Sequence, residues 1–296
     1  MGYFQSVIEY LYFFHGLFLI LLATVCFFLR KERYSTPAWV WLGLFGLTHW
    51  FYTWLDILAL QLSDWQAFSV LRTAIMGLSF IFLLEFGRRT LRNSGAKTPA
   101  LLIYAPLLLL VYLGWIYSFA AAIAALLFAF LSVSVRHTLK RHGAKTPVLL
   151  IYTPLLLAAP FGLVYDVNAL NTSVRCILGF TAGLLSAWAI YKVSCKSATS
   201  LHQPLLFMGI GLFVYALSAG SVTPASQLVP AHWLNYDSFS RLFGFPAELL
   251  RALAAASITL STYFCMQRLS RAKTVPSTSG VNTKKWRRTR QAAGIL

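Results

Sequence analysis

The sequence predicts an all-α protein that crosses a membrane about nine times, with its N-terminus outside the cell and its C-terminus in the cytoplasm. Three observations support this prediction. The composition is 58% hydrophobic and only 11% charged, with a mean hydropathy of +0.67, whereas soluble domains carry about 25% charged residues. Residues 100–135 contain no charged side chain. Most basic residues collect in short segments between apolar runs, as they do in the cytoplasmic loops of membrane proteins.

The apolar runs and the breaks between them place the individual helices. A helix crosses the hydrocarbon core with about 20 residues. An unbroken helix over 100–135 would be roughly 54 Å long, so two shorter helices that turn near Gly114 fit better. The predicted helices are 8–29, 38–60, 68–87, 100–116, 119–135, 148–165, 174–192, 204–222 and 245–267.

The distribution of basic residues sets the predicted orientation. Five segments hold 21 of the 25 lysines and arginines. Nine crossings place all five on the same side of the membrane, and positively charged segments mark the cytoplasmic side. The segments are 30–33, 88–97, 136–145, Lys192 with Lys196, and the chain after Met266.

A tandem repeat lies inside this pattern. Residues 88–109, "RRTLRNSGAKTPALLIYAPLLL", return as residues 136–157, "RHTLKRHGAKTPVLLIYTPLLL". The unit of 48 residues comprises one basic loop and two predicted crossings. Because an even number of crossings returns the chain to its starting side, a copied hairpin leaves the downstream orientation unchanged. The sequence therefore predicts a seven-helix core with one duplicated hairpin.

Two regions of the chain differ in composition. Residues 1–271 form the predicted transmembrane domain, and residues 272–296 form a basic cytoplasmic tail that is predicted to be disordered. The tail is too short and too polar to fold alone, and its lysines and arginines favour contact with anionic lipid. Membrane lipids are thus one predicted partner.

The formal net charge of +17 does not indicate a nucleic-acid-binding protein, because the membrane topology explains where the basic residues lie. The chain has no Cys-x-x-Cys pair and no other spacing typical of a metal or disulfide framework. The four cysteines, which are Cys26, Cys176, Cys195 and Cys265, are predicted to be buried apolar side chains. No catalytic residue, metal site or cofactor is predicted.

Several ionisable side chains lie within the predicted helices, where they are costly and mark candidate functional sites. The predicted orientation places them at similar depth in the outer third of the membrane, and opposite charges such as Asp56 with Arg72 or Glu248 with Arg251 are expected to pair. Glu85 lies at the cytoplasmic face instead, where Arg88 can neutralise it. The predicted ligand-binding residues are His49, Asp56, Arg72, Glu248 and Arg251. The outer third of the membrane is also the predicted depth of Glu9, His15 and Arg175.

Three interpretations of this polar set remain open. The side chains could be structural ion pairs that fix the helices against one another. They could line an outward-facing pocket for a signal or ligand. A catalytic or metal site built from His15, His49 and Asp56 is the third interpretation, although no His-x-x-x-His spacing supports it.

Four stretches of the sequence form a recognisable set: "HWFYTWLD" at 49–56, "EFGRR" at 85–89, "PAHWLN" at 230–235, and "GFP" at 244–246 leading to Arg251. Together they resemble the N-terminal membrane region of bacterial sensor histidine kinases and diguanylate cyclases. The resemblance covers residues 38–92 and 148–267, with the hairpin of residues 88–135 as an extra copy. In that family a multi-helix input region precedes PAS and kinase or cyclase output domains.

The resemblance implies a sensory or signal-input module in the bacterial inner membrane, without enzymatic activity of its own. No kinase histidine box, nucleotide-binding lobe or GGDEF sequence is present. The expected partner is therefore a separate cytoplasmic kinase or cyclase protein, or a second copy of this chain, unless the chain is a truncated or frameshifted relic. The alternative function is a transporter of small solutes or lipids, which predicts glycine-broken helices and a polar site at the midplane.

Overall fold

The computed structural model of the 296-residue chain describes residues 2–30, 37–61, 65–95, 166–226 and 231–274. Every regular element in these ranges is a helix. Six helices are long and the seventh is a short one between the last two. They are α1 (Gly2–Leu29), α2 (Trp39–Gln61), α3 (Gln66–Asn93), α4 (Val167–Ser194), α5 (Thr199–Gly220), α6 (Tyr236–Phe243) and α7 (Ala247–Thr274).

The six long helices form a closed ring. Each of the helices α1 to α5 packs against the next long helix in the chain, and α7 returns to pack against α1. The short α6 lies beside α7 at one end of the ring. The interior holds a continuous apolar core, with Leu22, Phe45 and Phe80 among its fully buried side chains.

The ring consists of two three-helix units that run in the same sense. In the first, α2 is antiparallel to α1 and α3, as the pairing of Gly46 with Leu19 and of Asp56 with Arg72 shows. In the second, α5 is antiparallel to α4 and α7. The units meet at parallel seams, because contacts between α3 and α4 advance along both helices, from Thr73 with Asn171 to Ser94 with Lys196, while Thr259 of α7 bonds with Phe18 of α1.

Five of these helices are long and apolar enough to cross a membrane, so the protein is a helical multi-pass membrane protein. The spans are Val7–Leu29, Gln66–Asn93, Val167–Ser194, Thr199–Gly220 and Ala247–Arg271. Helix α2 is not among them although it has 23 residues. Its mean hydropathy is lowered by four tryptophans, one histidine and one tyrosine. These side chains are nevertheless compatible with a helix that packs between α1 and α3.

The two ends of the ring differ in charge. The end at which α1, α3, α4 and α7 finish is here called the basic end, because it carries most of the described lysines and arginines. The opposite end is called the polar end, because buried polar side chains gather there. The basic end holds Arg30, Arg88, Arg89, Arg92, Lys192, Lys196, Arg268 and Arg271.

A proline explains one of the contacts at the basic end. Helix α5 begins at Thr199, five residues before the predicted start at Pro204. Proline lacks an N–H group, so Pro204 cannot bond with the carbonyl of Ser200 four residues earlier. The Arg268 guanidinium of α7 donates to that carbonyl instead, with Nη1 2.5 Å from the oxygen, and thereby ties α7 to α5.

The structure corrects two predicted boundaries. Helix α3 continues through Arg88 to Asn93, so residues 88–93 of the basic segment 88–97 are the last part of a helix and not a loop. Helix α4 begins at Val167 and not at residue 174, since the Asp166 side chain caps it by accepting a 2.6 Å hydrogen bond from the Ala169 N–H. Four of the seven residues at 167–173 are polar, and for that reason the apolar run missed this part of the helix.

Other predictions fall on residues that are not described. The three helices predicted at 100–116, 119–135 and 148–165 lie outside the described residues, as does the repeat apart from residues 88–95. The tail is described only as far as Thr274. Among the cysteines, three are buried as predicted, but the prediction for Cys195 is wrong because this residue is exposed near the end of α4.

Candidate functional site

The five residues predicted as a ligand site lie together at the polar end. Four of them, His49, Asp56, Glu248 and Arg251, line one small cavity in the interior of the ring. Arg72 does not line this cavity, but it forms an ion pair with Asp56, which does. The cavity measures about 10 Å³, which is about the space that one water molecule needs. Its lining comprises Leu11, Tyr12, His15, His49, Tyr52, Thr53, Asp56, Arg175, Ala219, Glu248 and Arg251.

The predicted pair between Asp56 and Arg72 is confirmed. Asp56 lies in the penultimate turn of α2 and Arg72 in the second turn of α3, so the antiparallel packing brings them to the same level. The Arg72 Nη1 atom lies 2.5 Å from Asp56 Oδ1. Both side chains are largely buried, with 15% and 10% of their surface exposed. The pair therefore links α2 to α3 within the low-dielectric interior.

The Arg251 side chain of α7 lies against the C-terminal end of α5. The last four carbonyls of a helix have no partner within it. Arg251 Nη2 donates to one of them, that of Ser218 (2.9 Å), and to the Val222 carbonyl just after the helix (2.5 Å). Nη1 donates to the Tyr236 hydroxyl at 3.2 Å and lies 3.6 Å from a Glu248 oxygen. The predicted pairing with Glu248 is thus present, but the carbonyls at the end of α5 are the nearer partners.

Arg175 is the main residue that the predicted ligand set omitted. It is 4% exposed and begins a π-helical turn, Arg175–Gly179, inside α4; such turns occur frequently at functional sites. Its guanidinium donates to the Asn171 side-chain oxygen (2.7 Å), the Ala219 carbonyl (3.2 Å) and the Tyr52 hydroxyl (2.7 Å). All three partners are neutral groups.

Two histidines in the lining of the cavity, His15 and His49, contact side chains of α3 and α5. The Ser79 hydroxyl donates its one hydrogen to the Met76 carbonyl (2.6 Å), so its oxygen accepts from Nδ1 of His49 at 2.7 Å. The rings of His49 and His15 lie 5.8 Å apart, edge to face. The Tyr215 hydroxyl on α5 lies 3.4 Å from Nε2 of His15. With these contacts, side chains from all six long helices meet around the cavity.

The formal charges around the cavity do not balance. Three guanidinium groups, those of Arg72, Arg175 and Arg251, face two carboxylates, those of Asp56 and Glu248. Neutral histidines leave an excess of one positive charge. A site of this kind can hold a water molecule or favour an anionic group. In the described part of the chain no three histidine, cysteine or acidic side chains stand close enough to hold a metal ion.

Two other ionisable residues lie apart from the cavity. Glu9 shares the depth of the cluster but is half-buried and does not line the cavity. Glu85 lies near the basic end and is 2% exposed. Its carboxylate accepts from Arg88 at 2.6 Å, as predicted, and also from Arg89. This second cluster stabilises the end of α3 and has no contact with the first.

Comparison of this chain with known proteins finds no matching family model, no matching curated protein and no matching solved structure.

Proposed function

We propose that this protein is a signal-input module of the bacterial inner membrane, in which the buried polar cluster is the sensing element and α7 carries the response towards the cytoplasm. The proposal combines the resemblance of the sequence to sensor input regions with the position of the cluster. The observation that carries it is that one cavity is lined from α1, α2, α4, α5 and α7 at once. A change in its occupancy or protonation would therefore alter the packing of the whole ring.

Arg251 is the residue through which α7 would respond. It lies in the second turn of a helix of 28 residues, and its partners belong to α5 and to Tyr236 of α6. Because these partners are carbonyl and hydroxyl oxygens, an anionic group that enters the cavity competes with them for the guanidinium. Movement of α7 against α5 is the expected consequence, and the basic end of α7 would face the cytoplasmic partner protein.

The proposed orientation places the basic end in the cytoplasm. Four long helices finish at that end with arginine or lysine in or directly after their last turns. Positive charge of this kind favours the cytoplasmic side. The polar cluster then faces the outer leaflet, where an external signal can reach it.

The parallel packing of α3 and α4 supports the proposed nine crossings. Asn93 ends α3 at the basic end, whereas Val167 begins α4 at the polar end. Because α3 and α4 run in the same direction, the proposed topology requires an odd number of crossings between these residues. The three crossings proposed from the sequence meet this requirement, and so would a single crossing in a protein without the duplicated hairpin.

A transporter of small solutes or lipids is the second candidate, and one observation favours it. The two three-helix units run in the same sense around the ring, as do the parallel repeats of some transporters. The core on the basic side of the cavity is apolar, however, with Leu22, Leu83 and Met208 fully buried. In a transporter the polar site is expected at the midplane between the repeats.

The function can be tested by fusing the full chain to a diguanylate cyclase domain and measuring cyclase activity in membranes. We expect Asp56→Asn and Arg251→Gln to shift the basal activity, because each changes the charge that holds the cluster together. Asp237→Asn and Arg241→Gln are matched controls, since both residues are exposed on α6 at the same end and should leave activity unchanged. Cluster variants that reach the membrane in normal amounts and leave the activity at the wild-type level would contradict the proposal.

Flux measurements separate the two candidates. Proteoliposomes that contain the wild-type protein should show no uptake of labelled amino acids, organic acids or lipids above protein-free vesicles. Uptake that Asp56→Asn abolishes and Asp237→Asn preserves would favour the transporter and overturn the sensory proposal.

A further inference from the structure

A second cavity lies at the basic end, separate from the polar cluster. It is a groove between the end of α1, the beginning of α2 and the end of α3, with a volume of about 220 Å³. The groove is open, and it is much larger than the polar cavity. Its lining comprises Leu29, Arg30, Pro37, Ala38, Trp39, Val40, Trp41, Arg89, Arg92 and Asn93.

Three arginines give the groove its charge, and among the described residues that line it none is acidic. Arg89 is held in place on one wall, since its guanidinium stacks 4.4 Å from the Trp41 ring centre and donates to Glu85. Arg30 and Arg92 are exposed on the rim. Because Arg88 also neutralises Glu85, the groove keeps a clear positive charge.

Helix α2 adds to this charge. It begins at Trp39 inside the groove, and the N-terminus of a helix carries a partial positive charge and favours anions. The start of α2 is fixed against α3, because the Ala38 N–H donates to the Thr90 side-chain oxygen at 3.1 Å. The positive groups are therefore held around one space by packed helices.

We propose that this groove binds the phosphate group of an anionic phospholipid in the leaflet at the basic end. Arginine presents a planar set of donors that matches phosphate oxygens, and basic recesses between membrane helices bind anionic headgroups. With about 220 Å³ the groove has far more room than the polar cavity of about 10 Å³, which holds one water molecule. Trp39 and Trp41 place an aromatic wall at the same level, and tryptophan favours the membrane interface.

The test uses the full chain in lipid nanodiscs and compares phosphatidylglycerol with phosphatidylcholine. Native mass spectrometry counts the retained lipids, and a fluorescent phosphatidylglycerol gives the affinity. We expect wild-type protein to retain phosphatidylglycerol and not phosphatidylcholine. The double variant Arg30→Gln/Arg92→Gln should bind it about thirtyfold more weakly, because each basic side chain near an anionic lipid contributes about a factor of five. Arg89 is left unchanged since it pairs with Glu85.

The matched control is Lys192→Gln/Arg271→Gln, which removes the same charge at the same end but outside the groove. Equal weakening by the control and the groove variant would show a general surface effect and overturn the proposal, as would unchanged binding by the groove variant. Inorganic phosphate tests whether the groove binds free phosphate instead of the phosphate group of a lipid. Displacement of the lipid by inorganic phosphate at matched concentration would assign the groove to a free anion and overturn the lipid proposal.

Discussion

The Arg175 guanidinium donates to the Tyr52 hydroxyl across 2.7 Å, and this bond joins the two three-helix units through the centre of the ring. Tyr52 belongs to the first unit and Arg175 to the second. Both side chains are buried at 4% exposure. The contact shows that the polar cavity is a junction between the units and does not belong to either alone.

Removal of the Tyr52 hydroxyl should weaken this junction. In Tyr52→Phe a buried guanidinium loses one acceptor while the ring remains in place, and an unsatisfied buried group costs about 1–3 kcal/mol. We expect a lower midpoint of thermal unfolding in detergent, followed by tryptophan fluorescence. Tyr10→Phe is the control, because Tyr10 is 66% exposed and should unfold as the wild type does. Identical midpoints for the two variants would show that the bond contributes little.

The Asp56–Arg72 pair should couple strongly in a double-mutant cycle. Asp56→Ala leaves a largely buried arginine opposite an apolar side chain, and the loss of one partner of a buried pair costs about 3–5 kcal/mol. Arg72→Ala should lower the free energy of unfolding by a similar amount, because it leaves the Asp56 carboxylate in the same interior without its ion pair. The double variant should be more stable than the sum of the two losses predicts, because neither charge then remains buried. Unfolding in increasing denaturant measures all four proteins.

Additive losses in that cycle would contradict the proposed coupling. A coupling energy near zero would mean that water screens the pair despite its low exposure. Glu248→Ala offers a comparison at the same end, since its nearest guanidinium nitrogen stands 3.6 Å away and Arg251 also bonds with carbonyls. We expect a smaller loss of stability from Glu248→Ala than from Asp56→Ala.

The sequence allowed some of these relationships to be predicted because charge and depth restrict them. Asp56 and Arg72 stand on consecutive helices at the same level, so their pairing follows once the helices are placed. Arg175 was expected at the same depth but not among the ligand residues, and its helix was predicted to begin only at residue 174 because the apolar run starts there. The aspartate at Asp166, a residue type favoured at the N-cap of a helix, was the available signal for the earlier start of α4. The bonds of Arg251 with carbonyls at the end of α5 could not be predicted. They depend on which helices are neighbours in the ring, and a single sequence does not show this.

Close helix packing provides a further prediction. A Cβ atom added at Gly220 of α5 would lie 2.7 Å from the backbone and Cβ of Phe180 on α4, so Gly220→Ala must push the two helices apart. Overpacking of this kind costs about 1–3 kcal/mol. Gly209, on the same helix and against the same neighbour, has its nearest contact at 3.5 Å. Gly209→Ala should therefore be neutral or stabilising by up to about 1 kcal/mol through helix propensity.

Thermal unfolding of the two alanine variants checks this difference. Gly220→Ala should unfold at a lower temperature than the wild type, while Gly209→Ala should match or exceed it. Small residues allow membrane helices to approach closely, so the result also measures how tightly the second unit is packed. Equal effects from both substitutions would mean that α4 and α5 can separate without cost.

The parallel seam between α3 and α4 leads to a prediction about membrane topology. Gly95 follows α3 at the basic end and Asp166 precedes α4 at the polar end, so reporters fused after these residues should lie on opposite sides of the membrane. We expect fluorescent-protein activity after Gly95, Arg141 and Gly280, and alkaline phosphatase activity after Asp166 and Asp237. The basic end is then cytoplasmic, as its arginines and lysines favour. Reporters after Gly95 and Asp166 on the same side of the membrane would contradict the parallel packing of α3 and α4 as membrane-spanning helices.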